Sequence, residues 1–123
     1  YRPYHLGHIE ALPTVVEAVI NSRAILKPDH GFKTNVFAHA RKDLQRGETL
    51  DGLGGYACYG LIENVQEDDL QPGLPICLAN DVVLNRDIGK DERIALQDVI
   101  YDPGEPKFRL FADALAIARK RVQ

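Results

Sequence analysis

The stretch from Asp43 to Leu50 constrains the fold more than any other feature, because a near-copy runs from Asp87 to Ile94 at a constant offset of 44 residues. Each copy carries an aspartate, a branched aliphatic residue, a short turn, a glutamate and a second aliphatic residue. Two copies are too few for a solenoid, in which at least three units bury a continuous core. The repeat therefore predicts one compact domain built as two related halves.

Each repeat also carries a pair of carboxylates, Asp43 with Glu48 and Asp87 with Glu92. A catalytic pair that is duplicated in both halves would be unusual. Aspartates that accept backbone N–H bonds in two equivalent turns would not be unusual. We therefore expect these four carboxylates to be structural.

The composition is that of an ordinary globular protein, with 45% apolar and 27% charged residues in 123 residues. This length provides for one domain with a workable core. The net charge of -3 argues against a general nucleic-acid surface, and no apolar run reaches the ~18 residues of a membrane span. The basic cluster Arg119–Arg121 is explained by the negative end of a helix dipole.

The chain begins at Tyr1, contains no Met and shows no secretory signal, so we interpret it as a piece of a longer cytoplasmic protein. Its two cysteines, Cys58 and Cys77, could form one disulfide. Two free, partly buried thiols in a reducing compartment are favoured.

The predicted fold class is mainly β with flanking helices, an α+β arrangement of short strands and tight turns. A first helix is predicted to begin at Pro13 and to end between Ser22 and Lys27, whereas Gly7 makes helix doubtful around His8. Its apolar stripe comprises Val15, Val16, Val19 and Ile20.

Short strands are predicted between the helices. The first runs from Thr34 to Ala40, with Val36 and Ala38 on one face and Phe37 and His39 on the other. Further strands or strand-like segments are predicted at 61–65, 74–79, 82–84 and 98–101. A loop at 102–106 precedes a second helix, whose apolar positions are Phe108, Phe111, Leu115, Ala118 and Val122.

No motif predicts catalytic, cofactor-binding or metal-binding residues. The glycines of 52–55 lack the spacing of a nucleotide-binding loop, and sharp turns beside Tyr56 and Tyr59 explain them better. His5, His8, His30 and His39 do not have the spacing of metal ligands, and neither cysteine belongs to a CxxC pair.

One segment remains as a candidate ligand contact, formed by Arg2, Tyr4 and His5. Arginine and tyrosine can bind a phosphate or a carboxylate, and histidine can transfer a proton. The alternative is that these residues anchor the start of the segment on another domain.

The first repeat, read from Ala40 to Leu50, resembles the signature of SAF domains, and the resemblance extends over 34–102. These domains occur in type III antifreeze proteins, sialic acid synthases, altronate dehydratases and pilus and flagellar assembly proteins. The resemblance implies a pretzel-like β-clip fold. The second repeat departs from the pattern at Asp91, where glycine is preferred, so its turn is expected to differ.

A narrower resemblance rests on Arg2–Leu6 and Asp51–Gly60. These segments are similar to the C-terminal part of SAF-containing NAD(P)-dependent oxidoreductases, whose nucleotide-binding domain resembles that of homoserine dehydrogenase. The group includes reductoisomerase-like enzymes of isoprenoid precursor biosynthesis, which convert 1-deoxy-D-xylulose 5-phosphate to 2-C-methyl-D-erythritol 4-phosphate.

This resemblance implies three parts: a linker and helix from the end of a catalytic domain at 1–30, a SAF-like β-clip domain at 31–105 and a final helix at 106–123. The chain would need no cofactor itself, whereas the parent would use NADP or NAD. Its partners would be the preceding catalytic and nucleotide-binding domains, with a homo-oligomer left open.

Three functions compete on this basis. The first is a non-catalytic lid, docking or oligomerisation module of such an oxidoreductase, with Arg2, Tyr4 and His5 contributing to a shared substrate site. The second is a carbohydrate- or sugar-acid-binding module, as in the antifreeze-like and altronate dehydratase relatives. The third is an interaction module in pilus or flagellar assembly, which the lack of export signals disfavours.

Overall fold

A computed structural model of the chain describes residues 7–25, 33–65 and 72–121. Two helices flank a body of short strands, which confirms the predicted mainly β class. In chain order the elements are α1 (Gly7–Asn21), β1 (Thr34–Ala40), β2 (Thr49–Asp51), β3 (Cys58–Asn64), a 3-10 turn (Ile76–Leu78), β4 (Asn80–Leu84), a second 3-10 turn (Leu96–Asp98), β5 (Val99–Ile100) and α2 (Pro106–Arg121). No described helix is long and apolar enough to cross a membrane.

The strands form two small antiparallel sheets. In the first, β1 pairs with β3 without interruption from Thr34 opposite Asn64 to Ala40 opposite Cys58. In the second, β4 lies between β2 and β5. The faces of β1 are as predicted: Ala38 packs into the core, whereas His39 on the other face contacts the ring of Tyr59.

Backbone hydrogen bonds join each repeat to a strand of the other half. The donors of two such bonds are 44 residues apart, and so are their acceptors. The Ala40 amide, which ends β1, donates to the carbonyl of Glu92 in the second repeat at 3.0 Å. The Leu84 amide, which ends β4, donates to the carbonyl of Glu48 in the first repeat at 2.9 Å. Each strand therefore pairs with the repeat that belongs to the other half.

The aspartates of the repeats complete this exchange. Asp87 accepts a hydrogen bond from the backbone N–H of Arg46 at 2.7 Å, and Asp43 accepts one from Lys90 at 2.8 Å. The glutamates act within their own turns, where Glu48 accepts from the Gln45 amide and Glu92 from the Gly89 amide. The structural role predicted for the four carboxylates is confirmed, and each aspartate serves the opposite half.

The turn at Asp91 does not differ from its counterpart, so that expectation was wrong. Asp91 and Gly47 both have a positive φ, of 64° and 90°. The Asp91 amide donates to the Ala40 carbonyl and the Gly47 amide to the Leu84 carbonyl, both at 2.8 Å. Aspartate is one of the few residues besides glycine that tolerates this backbone conformation, so the turn is kept.

The core lies between the two halves. Leu44 and Ile88 form an antiparallel bridge in which each amide donates to the carbonyl of the other, at 2.9 and 3.0 Å. Both side chains are buried in a single cluster with Leu50 and Ile94. Phe108 of α2 packs onto this cluster, and its ring stacks on Tyr101.

Several element boundaries differ from the predictions. Helix α1 begins at Gly7 rather than at Pro13 and contains Pro13 in its interior, where proline removes one amide donor and crowds the preceding turn. Residues 74–79 do not form a strand: Pro75 cannot donate to a ladder, and the chain turns at Ile76–Leu78 instead. Strand β3 begins at Cys58 and is therefore longer than predicted.

Candidate functional site

Helix α1 presents an apolar stripe that is exposed along its whole length. Its members are the large aliphatic side chains Ile9, Leu12, Val15, Val16, Val19 and Ile20. At 100° per residue they cover an arc of about 140°, which is the width of a face that packs on a globular core. A coiled-coil seam would be narrower. The arc therefore has the width of a packing face.

The opposite face of α1 is polar, and its side chains contact each other. Glu17 accepts a hydrogen bond from the side-chain amide of Asn21 at 2.9 Å and forms an ion pair with Arg23 at 3.0 Å. Because the charged group lies away from the stripe, the helix can bury its apolar side without burying a charge.

The glycine-rich loop at 52–55 is closed by Asp51. Its carboxylate accepts hydrogen bonds from the amides of Tyr56 at 2.6 Å and Ala57 at 3.0 Å, and these bonds hold the pKa of Asp51 below its ordinary value. The amides that follow the glycines thus bind an internal carboxylate. The Gly55 amide donates to the Gly52 carbonyl at 3.2 Å, which confirms the turn interpretation. The loop leaves the side chains of Leu53 and Tyr56 exposed to solvent.

The two glycines of this loop with a positive φ provide a matched pair of predictions. A Cβ on Gly52 would lie 2.9 Å from the Asn80 Cα, whereas one on Gly54 would meet nothing within 4 Å. We expect Gly54→Ala to cost about 1 kcal/mol through backbone strain alone, and Gly52→Ala to cost about 3 kcal/mol because strain and overpacking combine. Urea unfolding measures both, and equal costs would contradict the contact with Asn80.

A polar cluster that the sequence did not predict joins β1, β3 and the second repeat. His39 Nε2 lies 3.0 Å from Glu63 Oε1, and the other oxygen of Glu63 lies 3.5 Å from an Arg93 nitrogen. Tyr59 donates to Asp91 at 3.2 Å. Partial removal from water and the nearby Asp91 carboxylate raise the pKa of Tyr59, so its hydroxyl keeps its proton.

This cluster has a structural role. Only 9% of the His39 side chain is exposed, and its Nδ1 lies 3.3 Å from the Phe37 carbonyl oxygen while Nε2 faces Glu63. Both ring nitrogens therefore face protein acceptors, and neither is presented to a ligand. The cluster connects the paired strands β1 and β3 to the second repeat. No local sequence pattern could have revealed it, because its members lie in three distant segments.

A second network surrounds Arg86. Its guanidinium donates to Asp98 at 2.7 Å and to Glu92 at 2.8 Å, and these bonds raise its own pKa. Burial alone would raise the pKa of Asp98, but the hydrogen bonds from Arg86 and from the Ala95 amide outweigh it and hold that pKa below its ordinary value. The bond from the Gly89 amide and the one from Arg86 lower the pKa of Glu92.

The cysteines are unpaired, as predicted, but their environments differ. Cys58 is buried with its Sγ 3.9 Å from the Gly52 carbonyl oxygen, and burial raises the pKa of its thiol. A protonated, buried thiol is unreactive. Cys77 is exposed rather than partly buried.

The residues predicted to contact a ligand, Arg2, Tyr4 and His5, lie outside the described residues, as does His30. Within the described part, no group of three or more histidine, cysteine, aspartate or glutamate side chains could hold a metal ion. The most prominent functional candidate is therefore the apolar stripe of α1. The sequence pattern predicted four of its members but not its exposure.

No protein-family model matches the chain, and no curated protein matches it. The SAF resemblance rests on the repeated motif and on the two segments that extend it, and it stays a prediction.

Proposed function

We propose that this chain is a non-catalytic docking module of the SAF type from a larger NAD(P)-dependent oxidoreductase. In this role α1 packs on the preceding catalytic domain, and the interlocked β body is held beside the active site as a lid or an oligomerisation surface. The observation that carries the proposal is the exposed apolar stripe of α1.

The two sides of α1 support packing on a larger protein body. Six large aliphatic side chains lie on one side and are exposed, whereas Glu17 and its partners occupy the other. Burial of a valine or isoleucine side chain contributes about 1.5 to 3 kcal/mol, so the stripe can supply a substantial docking energy. Helix α1 precedes the β body in the chain, and the resemblance assigns 1–30 to a linker and helix at the end of a catalytic domain.

The oxidoreductase part of the proposal comes from the resemblance of Arg2–Leu6 and Asp51–Gly60. In the parent protein, Arg2, Tyr4 and His5 would complete a substrate site together with the catalytic domain, and NADP or NAD would bind to the nucleotide-binding domain. The cytoplasm is the proposed location.

The test uses the full-length parent protein and one charge placed on either side of α1. Val16→Asp buries a carboxylate in the docked stripe, whereas Ala18→Asp puts the same charge on the opposite side of the helix. Turnover is measured with NADPH and a panel of phosphorylated ketoses and aldehydes, and NADPH binding is measured separately. We expect Val16→Asp to lose turnover by about tenfold or more while NADPH binding is retained.

The control Ala18→Asp should keep turnover within about twofold of the native protein. Unchanged turnover in Val16→Asp would exclude α1 as the docking element. A parent that binds no nicotinamide nucleotide would exclude the oxidoreductase assignment whatever α1 does.

A second candidate is supported by the exposed Tyr56 on the glycine-rich loop. An aromatic ring held on a tight turn is a suitable surface for stacking on a sugar ring, as expected for a carbohydrate- or sugar-acid-binding module. Titration of the native chain and of Tyr56→Ala with a panel of sugar acids separates the two functions. Saturable binding that Tyr56→Ala abolishes would favour the second.

A further inference from the structure

We infer that the outer edge of β3 is an interface at which two copies of this chain join their sheets, with β3 of one copy antiparallel to β3 of the other. The inference does not depend on the proposed oxidoreductase function. It rests on the backbone, side chains and symmetry of one strand, Cys58–Asn64.

The hydrogen bonds of β1 determine which groups of β3 face outward. The Ala38 amide donates to the Leu74 carbonyl and its carbonyl accepts from the Ile94 amide, so Ala38 directs both groups away from β3. In an antiparallel ladder this direction alternates. Phe37 and His39 therefore direct their amides and carbonyls towards β3.

Their partners on β3 are Leu61 and Tyr59. These two residues use their amides and carbonyls on β1, and by the same alternation Gly60 and Ile62 direct theirs outward. Among the described residues, no segment pairs with this outer edge. The strand therefore presents a row of unpaired donors and acceptors.

The side chains do not protect this edge. Proteins normally blunt an exposed edge with lysine, proline, a bulge or a covering element. Strand β3 contains no lysine or proline, and its register with β1 is continuous. Leu61 is 47% exposed and Ile62 is 67% exposed, so apolar surface accompanies the open edge. Its single charge, on Glu63, forms an ion pair with Arg93 at 3.5 Å and faces the ring of His39.

A second β3 strand complements the first. A twofold axis through Leu61 pairs all residues of the strand and places Gly60 opposite Ile62 of the second copy, so outward-facing groups meet each other. Tyr59 then lies opposite Glu63 of the other copy, and no like charges face each other. The two Leu61 side chains meet on the axis as an apolar pair, in the isologous contact that a twofold dimer requires.

A charge introduced at the axis tests this arrangement, with sedimentation velocity of the whole chain over a hundredfold concentration range. Leu61→Lys and Leu61→Glu each place like charges opposite each other, and each should weaken dimerisation by about tenfold or more. An equimolar mixture of the two should restore a dimer, because opposite charges then meet. The control Ile100→Lys charges an exposed isoleucine on the other sheet and should dimerise like the native chain.

A native chain that stays monomeric throughout overturns the inference, and so does a mixture that fails to associate. Equal weakening by Ile100→Lys would place the interface elsewhere.

Leu61→Cys in a Cys77→Ser background tests the contact without adding charge. Diamide should link it into a covalent dimer, because residues opposite each other in a non-hydrogen-bonded pair have Cα atoms about 4.5 Å apart, within reach of a disulfide. Absence of that dimer would also overturn the inference.

Discussion

Arg86→Met is expected to lower the free energy of unfolding by about 2 to 3 kcal/mol at neutral pH, because it leaves the carboxylate of Asp98 buried without its cation. The Asp98 side chain is only 4% exposed, whereas Arg86 is 44% exposed. Water can therefore hydrate the guanidinium of Arg86, but it cannot reach the carboxylate of Asp98. Methionine keeps the unbranched apolar stem of the arginine, so the loss reports on charge and hydrogen bonding more than on packing.

The internal repeat supplies the matched control. Lys42 occupies the position equivalent to Arg86, and it contacts Glu48 at 3.6 Å with both side chains exposed. Exposed ion pairs contribute little, so Lys42→Met should cost less than about 0.5 kcal/mol. Urea unfolding of the two variants measures the difference. Equal costs would show that burial of Asp98 does not control the effect.

The same variant has an expected pH dependence. Because the folded-state pKa of Asp98 lies below its ordinary value of 3.8, its contribution is present above that value and is lost as the pH falls through the folded pKa. The gap in stability between the native chain and Arg86→Met should therefore be largest near neutral pH and shrink in acid. A gap that stays constant down to acid unfolding would contradict a charged Asp98.

Leu44→Ala is expected to destabilise the fold by about 3 to 4 kcal/mol, because Leu44 is fully buried where the two halves meet. Its backbone is fixed by two hydrogen bonds to Ile88, so the surrounding chain cannot collapse easily into the cavity. The cost should lie in the upper part of the usual range for leucine truncation, and thermal and urea unfolding measure it.

The control for this truncation is Leu53→Ala on the exposed glycine-rich loop. It removes the same atoms from a side chain that loses little contact with water on folding, so its cost should stay below about 0.5 kcal/mol. A similar loss in both variants would contradict the central position of Leu44 in the core.

Local patterns predicted the parts of the fold that local chemistry determines. The span of β1, the structural role of Asp43 and Asp87 and the amphipathic final helix all followed from spacing and residue type. The strand predicted at 74–79 does not form, because Pro75 lacks the amide donor that a strand needs, although the segment is apolar. The turn at Asp91 is kept without glycine, because aspartate tolerates a left-handed backbone.

The contacts between distant segments could not be predicted. The salt bridge from Arg86 to Asp98 and the cluster around His39 depend on which half pairs with which strand. The 44-residue offset indicated two halves, but it did not indicate that the strand of each half pairs with the repeat of the other. The exposure of α1 was also unpredictable, because an apolar stripe has the same pattern whether or not a partner covers it.

The exchange of hydrogen bonds between the halves has a consequence for how such a chain can be divided. A half that kept only Ala40 and Glu48 would have neither Glu92 nor Leu84 to pair with, so it could not complete its own ladder. Two identical halves could complete each other, each lending its strand to the other. The fold thus has the arrangement of a domain-swapped dimer joined into one polypeptide. The linker makes the association of the halves intramolecular, whereas separate halves would have to associate in a bimolecular step.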